Sequence, residues 1–398
     1  MHRITRLIPR PFLFVLLPLF LVACGSDDET SNNSSAVYGS HSVVLVQSTT
    51  KSFGANGYGQ LGNGATANSS IPVTVSGSFT AVSIGGAHTI GVHSDGTVWA
   101  WGNNGSGQLG NGTQDSKTSP TQVSTPGGIT GFTAIAAGGN HTLALDNLGN
   151  VWAWGLNSSG QLGDNTLVNQ NIPVRVLSSD GVTPLSGVSA IAAGGAFSLA
   201  LKSDGTVWTW GSNSNGQLGD NTKLSKMVPV QVLTSDGVTP LSGITAIAAG
   251  GSHALAINGG TTMFAWGYNE LGQLGDGTTT SRLIAVSVVM PGVVTAVSAG
   301  LDYSLAVIGG SVYTWGYNYY GQLGNGAALQ SDTPVTAFQR VQNQDGILLS
   351  SIVDIVAVGH HSIARDVSST IWTWGNNAYG QLGDGTTQSR SRAKALAN

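Results

Sequence analysis

The sequence predicts an all-β protein built as an array of seven repeated units. The tetrapeptide Gly-Gln-Leu-Gly occurs seven times at intervals of 48 to 59 residues, and a period near 50 residues indicates a repeat architecture. Only 9% of the 398 residues are charged and 58 are glycine, which favours short strands and tight turns over long helices. A unit of this size cannot bury a core alone, so neighbouring units must pack together. The copies begin at Gly59, Gly107, Gly160, Gly216, Gly272, Gly321 and Gly380.

A strand with alternating aromatic residues precedes the tetrapeptide in six of the units, and in the first unit Phe53 fills the second aromatic position. Residues 151–154 read Val-Trp-Ala-Trp and are followed by Gly155, and such alternation ended by glycine is typical of a β-strand. Asp95-Gly96 before one of these strands predicts a hairpin turn. Because the aromatic residues recur in phase, packing between units is favoured over a stacking surface for sugars or bases. The tryptophans on this strand are Trp99, Trp101, Trp152, Trp154, Trp208, Trp210, Trp266, Trp315, Trp372 and Trp374.

A second recurring position holds a histidine in five of the seven units. Phe197 and Tyr303 take this position in the other two. Since a phenylalanine cannot bind a metal, we predict a packed ring that hydrogen-bonds to backbone atoms, and no metal site. The histidines are His41, His88, His141, His253 and His361.

Three short motifs together carry a family resemblance. Gly-Gly-x-His-x-Leu-Ala-Leu, Val-Trp-x-Trp-Gly-x-Asn and Gly-Gln-Leu-Gly-Asp/Asn resemble the repeat of the regulator of chromosome condensation (alpha-tubulin suppressor-like) family, over about residues 36–398. The resemblance implies a seven-bladed β-propeller with four-stranded blades.

The two ends of the chain favour a closed ring. Residues 384–390 match residues 276–282, and the chain then stops before another Gly-Gly-x-His segment. Residues 36–41 supply that segment at the other end. We therefore expect the N- and C-terminal segments to pair, with the C-terminus supplying the strand that completes the first blade. Such closure removes exposed sheet edges.

The N-terminal residues predict export and anchoring. Three arginines lie among the first ten residues, and an apolar run over 11–22 follows, so residues 1–23 are typical of a secretory signal. Residues 21–24, Leu-Val-Ala-Cys, resemble the lipobox of bacterial lipoproteins, which implies cleavage before Cys24 and its lipidation. Residues 24–35 are polar and predict a flexible tether to the propeller of residues 36–398. With Gly25 after the cysteine, we expect a lipid-anchored protein of the bacterial envelope, at the periplasmic or surface face of the outer membrane.

Charge and motif content argue against several functions. Three of the 15 basic residues and none of the 19 acidic residues lie in the signal, so the mature chain carries 12 − 19 = −7. No run of Lys or Arg provides the basic surface that nucleic acid requires. The chain also has no H-E-x-x-H, nucleophile elbow or phosphate loop. We expect no catalytic residues, cofactor or bound metal.

The variable segment between the aromatic strand and the tetrapeptide is rich in tyrosine in four units. Those units, the first, fifth, sixth and seventh, are consecutive around a closed ring. Exposed tyrosines favour recognition because they add amphipathic contact area at low entropic cost. We predict a tyrosine arc that binds a partner, although drift after duplication would also explain the pattern. Its members are Tyr58, Tyr268, Tyr317, Tyr319, Tyr320 and Tyr379.

Three functions are compatible with these observations. We favour a non-catalytic binding or scaffold module that recognises an unidentified protein partner and touches the membrane only through its lipid anchor. The resemblance also implies guanine-nucleotide exchange, the activity of the eukaryotic namesake, but that activity depends on a GTPase in the cytosol or nucleus. A third hypothesis is an envelope protein that binds or degrades polysaccharide, which keeps a glycan open as ligand. Degradation would need convergent carboxylates or a metal in a pocket.

Overall fold

The chain folds as a ring of antiparallel sheets. The computed structural model describes residues 39–46, 49–127, 129 and 131–396. The signal at residues 1–23, the lipidation site Cys24 and the tether at residues 24–35 lie outside these residues. The described part contains 27 strands and no helix, and so no helix in it is long and apolar enough to span a membrane.

The strands group into seven sheets, which are the blades of a propeller. Six sheets have four strands in chain order, and the first has three among the described residues. Blades one to three comprise β1 His41–Val46, β2 Thr49–Gly54, β3 Ser69–Val75; β4 Ala81–Ile84, β5 His88–Val92, β6 Val98–Gly102, β7 Lys117–Gln122; and β8 Phe132–Ala137, β9 His141–Asp146, β10 Val151–Gly155, β11 Gln170–Arg175. Blades four and five comprise β12 Val188–Ala193, β13 Phe197–Lys202, β14 Val207–Gly211, β15 Lys226–Gln231; and β16 Ala246–Ala249, β17 His253–Ile257, β18 Thr262–Gly267, β19 Arg282–Val289. Blades six and seven comprise β20 Val294–Ala299, β21 Tyr303–Ile308, β22 Ser311–Gly316, β23 Val335–Arg340; and β24 Ile352–Val358, β25 His361–Asp366, β26 Ile371–Gly375, β27 Arg390–Ala395. The seven-bladed all-β fold is thereby confirmed.

The hydrophobic core lies between the blades and not within them. The first strands of neighbouring blades contact one another around the axis. Trp266 of blade five, which is fully buried, shares one core cluster with Leu199 and Leu218 of blade four. Along β14 the aromatic residues alternate as predicted, because Trp208 is half-buried while Trp210 is fully buried. Each blade therefore depends on its neighbour for its core.

The first and last blades meet and close the ring. Val43 and Phe53 of blade one share a core cluster with Val356 and Ile363 of blade seven. Gly385 donates a backbone hydrogen bond of 2.8 Å to Ser70 O. Between blades one and two, Gly64 donates to Thr118 O over the same distance. The junction of the chain ends thus has the core packing and the backbone hydrogen bond that are found between other blades.

The C-terminal strand corrects one detail of the sequence analysis. β27 pairs with β26 inside blade seven, with Gly375 opposite Arg390, so it does not complete the first blade as expected. In blade three Gly155 lies opposite Gln170 in the same way. The reason is that the segment after each tetrapeptide folds back onto the aromatic strand of its own unit, so the last unit already contains four strands.

Candidate functional site

The recurring histidine position forms a ring of side chains around the propeller. Each imidazole, and the phenol of Tyr303, lies near the start of a blade's second strand and hydrogen-bonds to a hydroxyl of the next blade. The pairs are His41 with Thr89, His88 with Thr142, His141 with Ser198, His253 with Ser304, Tyr303 with Ser362 and His361 with Ser42, at 2.6 to 3.1 Å. In the one remaining pair, Phe197 faces a unit whose equivalent residue is Ala254. The predicted packed ring is therefore present, but the histidines pair with side-chain hydroxyls instead of backbone atoms; only Tyr303 among the described ring residues also donates to a backbone carbonyl, that of His361.

A second hydrogen bond determines the protonation state of these imidazoles. The hydroxyl of Ser198 donates to Gln161 O over 2.8 Å, so its one hydrogen is used. His141 must therefore carry its proton on Nε2 and donate it to Ser198. His141 Nδ1 is buried with no hydrogen-bond partner, which is tolerable for a lone pair. Burial lowers the pKa of His141 to about 3, which keeps the imidazole neutral.

The histidine ring is consequently part of the scaffold. Its rings pack over glycines of the preceding turn, since a Cβ on Gly138 would lie 2.3 Å from His141 Cε1. Among the residues that the structure describes, no group of three or more His, Cys, Asp or Glu could hold a metal ion.

The buried tryptophans also serve the interface between blades. Trp210 donates from Nε1 to Gln161 O over 2.9 Å, and five other units repeat this bond. The accepting carbonyl belongs to the tetrapeptide of the preceding blade. The glutamine carbonyl of the tetrapeptide thus accepts hydrogen bonds from both the indole and the hydroxyl of the next blade. This shared role explains why the tetrapeptide recurs. The other five bonds are Trp101 to Gln60, Trp154 to Gln108, Trp266 to Gln217, Trp315 to Gln273 and Trp374 to Gln322.

The tyrosine arc lies at the end of the propeller that carries the tetrapeptides, which we call the tetrapeptide face. In blade three Gly155, at the end of the aromatic strand, lies opposite His141. The loop after that strand and the turn before the histidine are therefore neighbours on this face. The same holds in blade six, where Tyr317 N donates to Asp302 O over 2.9 Å. Tyr58 is 36% exposed; the other five members, Tyr268, Tyr317, Tyr319, Tyr320 and Tyr379, are half-buried.

The structure brings three of the six tyrosines together with a histidine. The ring centroids of Tyr317 and Tyr319 are 6.1 Å apart, and those of Tyr319 and Tyr320 are 4.9 Å apart. His360 lies 5.1 Å from Tyr320 and 5.8 Å from Tyr317. Each ring therefore contacts two others, and the four form a closed circuit, the four-ring cluster. Tyr58, Tyr268 and Tyr379 lie outside this cluster, in the equivalent loops of other blades.

Carboxylates accompany the aromatic rings. Tyr317 Oη donates to Asp332 over 3.4 Å, and Tyr268 Oη donates to Glu270 over 3.3 Å. Asp302 accepts from Gln273 Nε2 at 3.5 Å. Burial and the nearby carboxylates raise the pKa of Tyr268 and of Tyr317 to about 12, so both phenols are neutral donors. This part of the tetrapeptide face is both aromatic and acidic.

Two buried polar atoms beside the cluster have no hydrogen-bond partner within the described chain. Gln322 Oε1 accepts from Tyr320 N over 2.9 Å, but Gln322 Nε2 is unsatisfied. His360 Nδ1 is unsatisfied as well, and burial lowers its pKa to about 4. In blade two the corresponding amide, Gln108, donates to Asn140 of the next blade over 3.3 Å. Gln161 Nε2 of blade three and the Nδ1 atoms of the five ring histidines are also without a partner in the described chain, so these two atoms alone do not distinguish the site.

Three members of this site were not predicted from the sequence: His360, Asp302 and Asp332. The first two occupy the position just before the ring histidine, where the units differ: Ser40, Ala87, Asn140, Ala196, Ser252, Asp302 and His360. The variability of this position among the units was the sequence signal that could have placed His360 and Asp302 at a binding site. The predicted arc drew only on the segment ahead of the tetrapeptide, although the two segments are adjacent in space.

Residues 49–397 match the RCC1-like domain family. The chain belongs to this family. RCC1-like relatives include the ultraviolet-B receptor UVR8 of Arabidopsis thaliana, 29% identical over 60% of this chain and 53% of that protein. The human E3 ubiquitin-protein ligase HERC2 is 31% identical over 66% of this chain and 5% of its own length. The chain thus spans about half of UVR8 and a small part of HERC2.

Solved RCC1-like structures support the same fold. Human WBSCR16 superposes with a TM-score of 0.77 at 21% identity, covering 88% of this chain and 94% of that one. The structure of Prp20p from Saccharomyces cerevisiae, reported with its binding to Gsp1p and histones, gives a TM-score of 0.73 at 21% identity and covers 89% and 87%. At this identity the likeness shows the fold alone.

Proposed function

We propose that this RCC1-like propeller is a non-catalytic scaffold that binds a protein partner through its tetrapeptide face. The observation that carries the proposal is the four-ring cluster. Unlike the six fully buried tryptophans, whose indoles donate to the tetrapeptide of the preceding blade, its tyrosines are half-buried and keep part of their surface exposed. Aromatic side chains with an accessible polar end are enriched where proteins recognise one another. Solved relatives such as yeast RCC1, captured with Kap60, also bind proteins.

The proposal includes a location. The basic and apolar segment over residues 1–23 and the single Cys24 support lipid anchoring to a bacterial envelope. A partner would then be another protein of the periplasm or cell surface, held near the membrane by the tether. Metabolic labelling with a fatty-acid analogue tests the anchor. Loss of label in Cys24→Ala is expected, and equal labelling of that variant would contradict lipidation at this residue.

Substitutions copied from another blade test the binding surface. Blade three carries Ser158 and Ser159 where blade six carries Tyr319 and Tyr320, so Tyr319→Ser/Tyr320→Ser keeps a loop sequence that the fold already accepts. We expect cross-linking and pull-down from intact cells with the full chain to recover a partner at least tenfold more efficiently than with this variant. The unfolding temperature should change little.

The matched control is Ser158→Ala/Ser159→Ala in blade three, which should leave recovery unchanged. Equal recovery by the wild type and the tyrosine variant would refute binding through the cluster.

A further inference from the structure

The four-ring cluster has the geometry of a site for a positively charged group. Its centroid separations run from 4.9 to 6.1 Å. An ammonium or guanidinium group is attracted to an aromatic face when it lies within about 6 Å of the centroid. Because each ring contacts two others, one cation resting on the cluster can be within this range of more than one ring.

A carboxylate lies at the edge of the cluster. Asp332 accepts a hydrogen bond from Tyr317 Oη. Residues 268–275, 299–303, 317–324 and 358–361, which form this part of the face, contain no Lys or Arg, and the Lys and Arg side chains that stack on aromatic rings in the described chain lie on Trp152, Trp208 and Tyr313 instead. His360 is neutral above pH 5 because burial lowers its pKa to about 4. A cation on the cluster would therefore meet aromatic faces and the Asp332 carboxylate.

Two basic residues at the start of the neighbouring outer strands are paired. Arg282 pairs with Asp276, 2.6 Å away, and Arg390 pairs with Asp384. These two cations are thus neutralised by carboxylates of their own units, whereas Arg392 of blade seven lies against Gly326, just after the tetrapeptide of blade six.

We infer that the four-ring cluster, with Asp332, binds a lysine or arginine side chain in a basic segment of the protein partner. This inference rests on the proposed function and specifies the chemistry of its partner. The aromatic faces attract the cation while the Asp332 carboxylate supplies charge-assisted hydrogen bonds. A neutral segment would gain neither, so charge complementarity determines which partner is accepted.

Peptide binding to the full chain tests the inference. The probes are fluorescein-labelled dodecapeptides in which glycine alternates with arginine, lysine, glutamine or glutamate, measured by fluorescence anisotropy at 50 and 300 mM NaCl. We expect the arginine and lysine peptides to bind and the other two not to bind. Tyr319→Ser/Tyr320→Ser should weaken binding of the arginine peptide at least tenfold. Asp332→Asn should weaken it about threefold at 50 mM NaCl and less at 300 mM, because salt screens charge.

Asp204→Asn is the matched control for charge. Asp204 is exposed in the turn between β13 and β14, whereas the other ends of these strands, Phe197 and Gly211, pair beside the tetrapeptide, so its removal changes net charge equally without touching the cluster. The inference is overturned if the glutamine peptide binds as well as the arginine peptide. It is also overturned if Asp204→Asn weakens binding as much as Asp332→Asn, or if a neutral glucose hexasaccharide displaces the arginine peptide.

The two proposals fail in different ways. If the tyrosine substitutions abolish partner recovery while arginine and glutamine peptides bind alike, the cationic inference is refuted and the proposed function stands. If the tyrosine variant recovers the partner as efficiently as the wild type, the proposed function itself is refuted.

Discussion

At the scale of single residues, the ring position and the hydroxyl of the next blade change together. Wherever the ring residue carries a polar atom, the next blade presents a serine or threonine. Where it is Phe197, the next blade presents Ala254. A buried hydroxyl or imidazole without its partner would lose a hydrogen bond. The Phe197 unit therefore replaces both halves of the pair instead of leaving one unsatisfied.

The Phe197 and Ala254 pair predicts the outcome of a double-mutant cycle. His141→Phe and Ser198→Ala should each lower the free energy of unfolding by about 1–3 kcal/mol, since each leaves a buried partner with an unmade bond. The double variant should recover part of this loss, with a coupling energy of about 0.5–3 kcal/mol. Urea denaturation of the four proteins measures it. Simple additivity of the two losses would contradict a direct pair.

At the scale of elements, the aromatic strand and the tetrapeptide form one unit of the interface. The second glycine of the tetrapeptide in blade three, Gly163, has a φ of +67°. A Cβ on Gly163 would lie 2.8 Å from Nε1 of Trp210, in the next blade. Only glycine tolerates both the positive φ and the close contact with the indole. The glycine therefore recurs in the tetrapeptide because the tryptophan of the next blade approaches so closely. The sequence alone predicted the strand and the packing role, but not which carbonyl the indole would bind.

The interface between blades seven and one has no indole at this position. Phe53 replaces the second tryptophan there, and only Ser42 donates to Gln381 O, over 2.8 Å. We therefore expect Trp210→Phe to lower the free energy of unfolding by about 1–3 kcal/mol, through one lost hydrogen bond and some lost volume. Trp210→Ala should cost about 3–5 kcal/mol. The urea midpoints of the two variants test this order. Equal losses would show that the indole hydrogen bond, and not burial, dominates.

At the scale of the whole molecule, seven regularly spaced repeats predict a ring of seven blades. They do not show at which strand of the repeat one blade ends and the next begins. A repeat can be divided at any strand without changing its period, so the sequence could not show which blade β27 would join. The backbone pairing decides it, since Gly375 lies opposite Arg390. The tyrosine arc was limited in a similar way. Its members were read from one loop, whereas the four-ring cluster joins that loop to His360 in the next blade.

Stability against acid is a property of the entire histidine ring. Burial lowers the pKa of His41, His88, His141, His253 and His361 to about 3, whereas an unfolded histidine titrates near 6.5. Below pH 6.5 these histidines therefore bind protons in the unfolded chain but remain unprotonated in the folded chain. The stabilisation is complete above that pH and is lost progressively as the pH falls towards 3.

Each buried histidine should then reduce the free energy of unfolding by up to about 1.4 kcal/mol per pH unit below 6.5. Urea denaturation at pH 8, 7, 6 and 5.5 measures the slope in a range where the carboxylates stay ionised. Burial opposes ionisation of Asp276 and Asp384, but hydrogen bonds and ion pairs outweigh it and hold their pKa values below the usual range. The variant His141→Phe/Ser198→Ala removes one of six buried histidines, the five of the ring and His360, whose pKa burial lowers to about 4, and should flatten the slope by about a sixth. A stability that does not change between pH 8 and 5.5 would mean that the folded ring accepts protons, and the assignment of neutral imidazoles with an unprotonated Nδ1 would then fail.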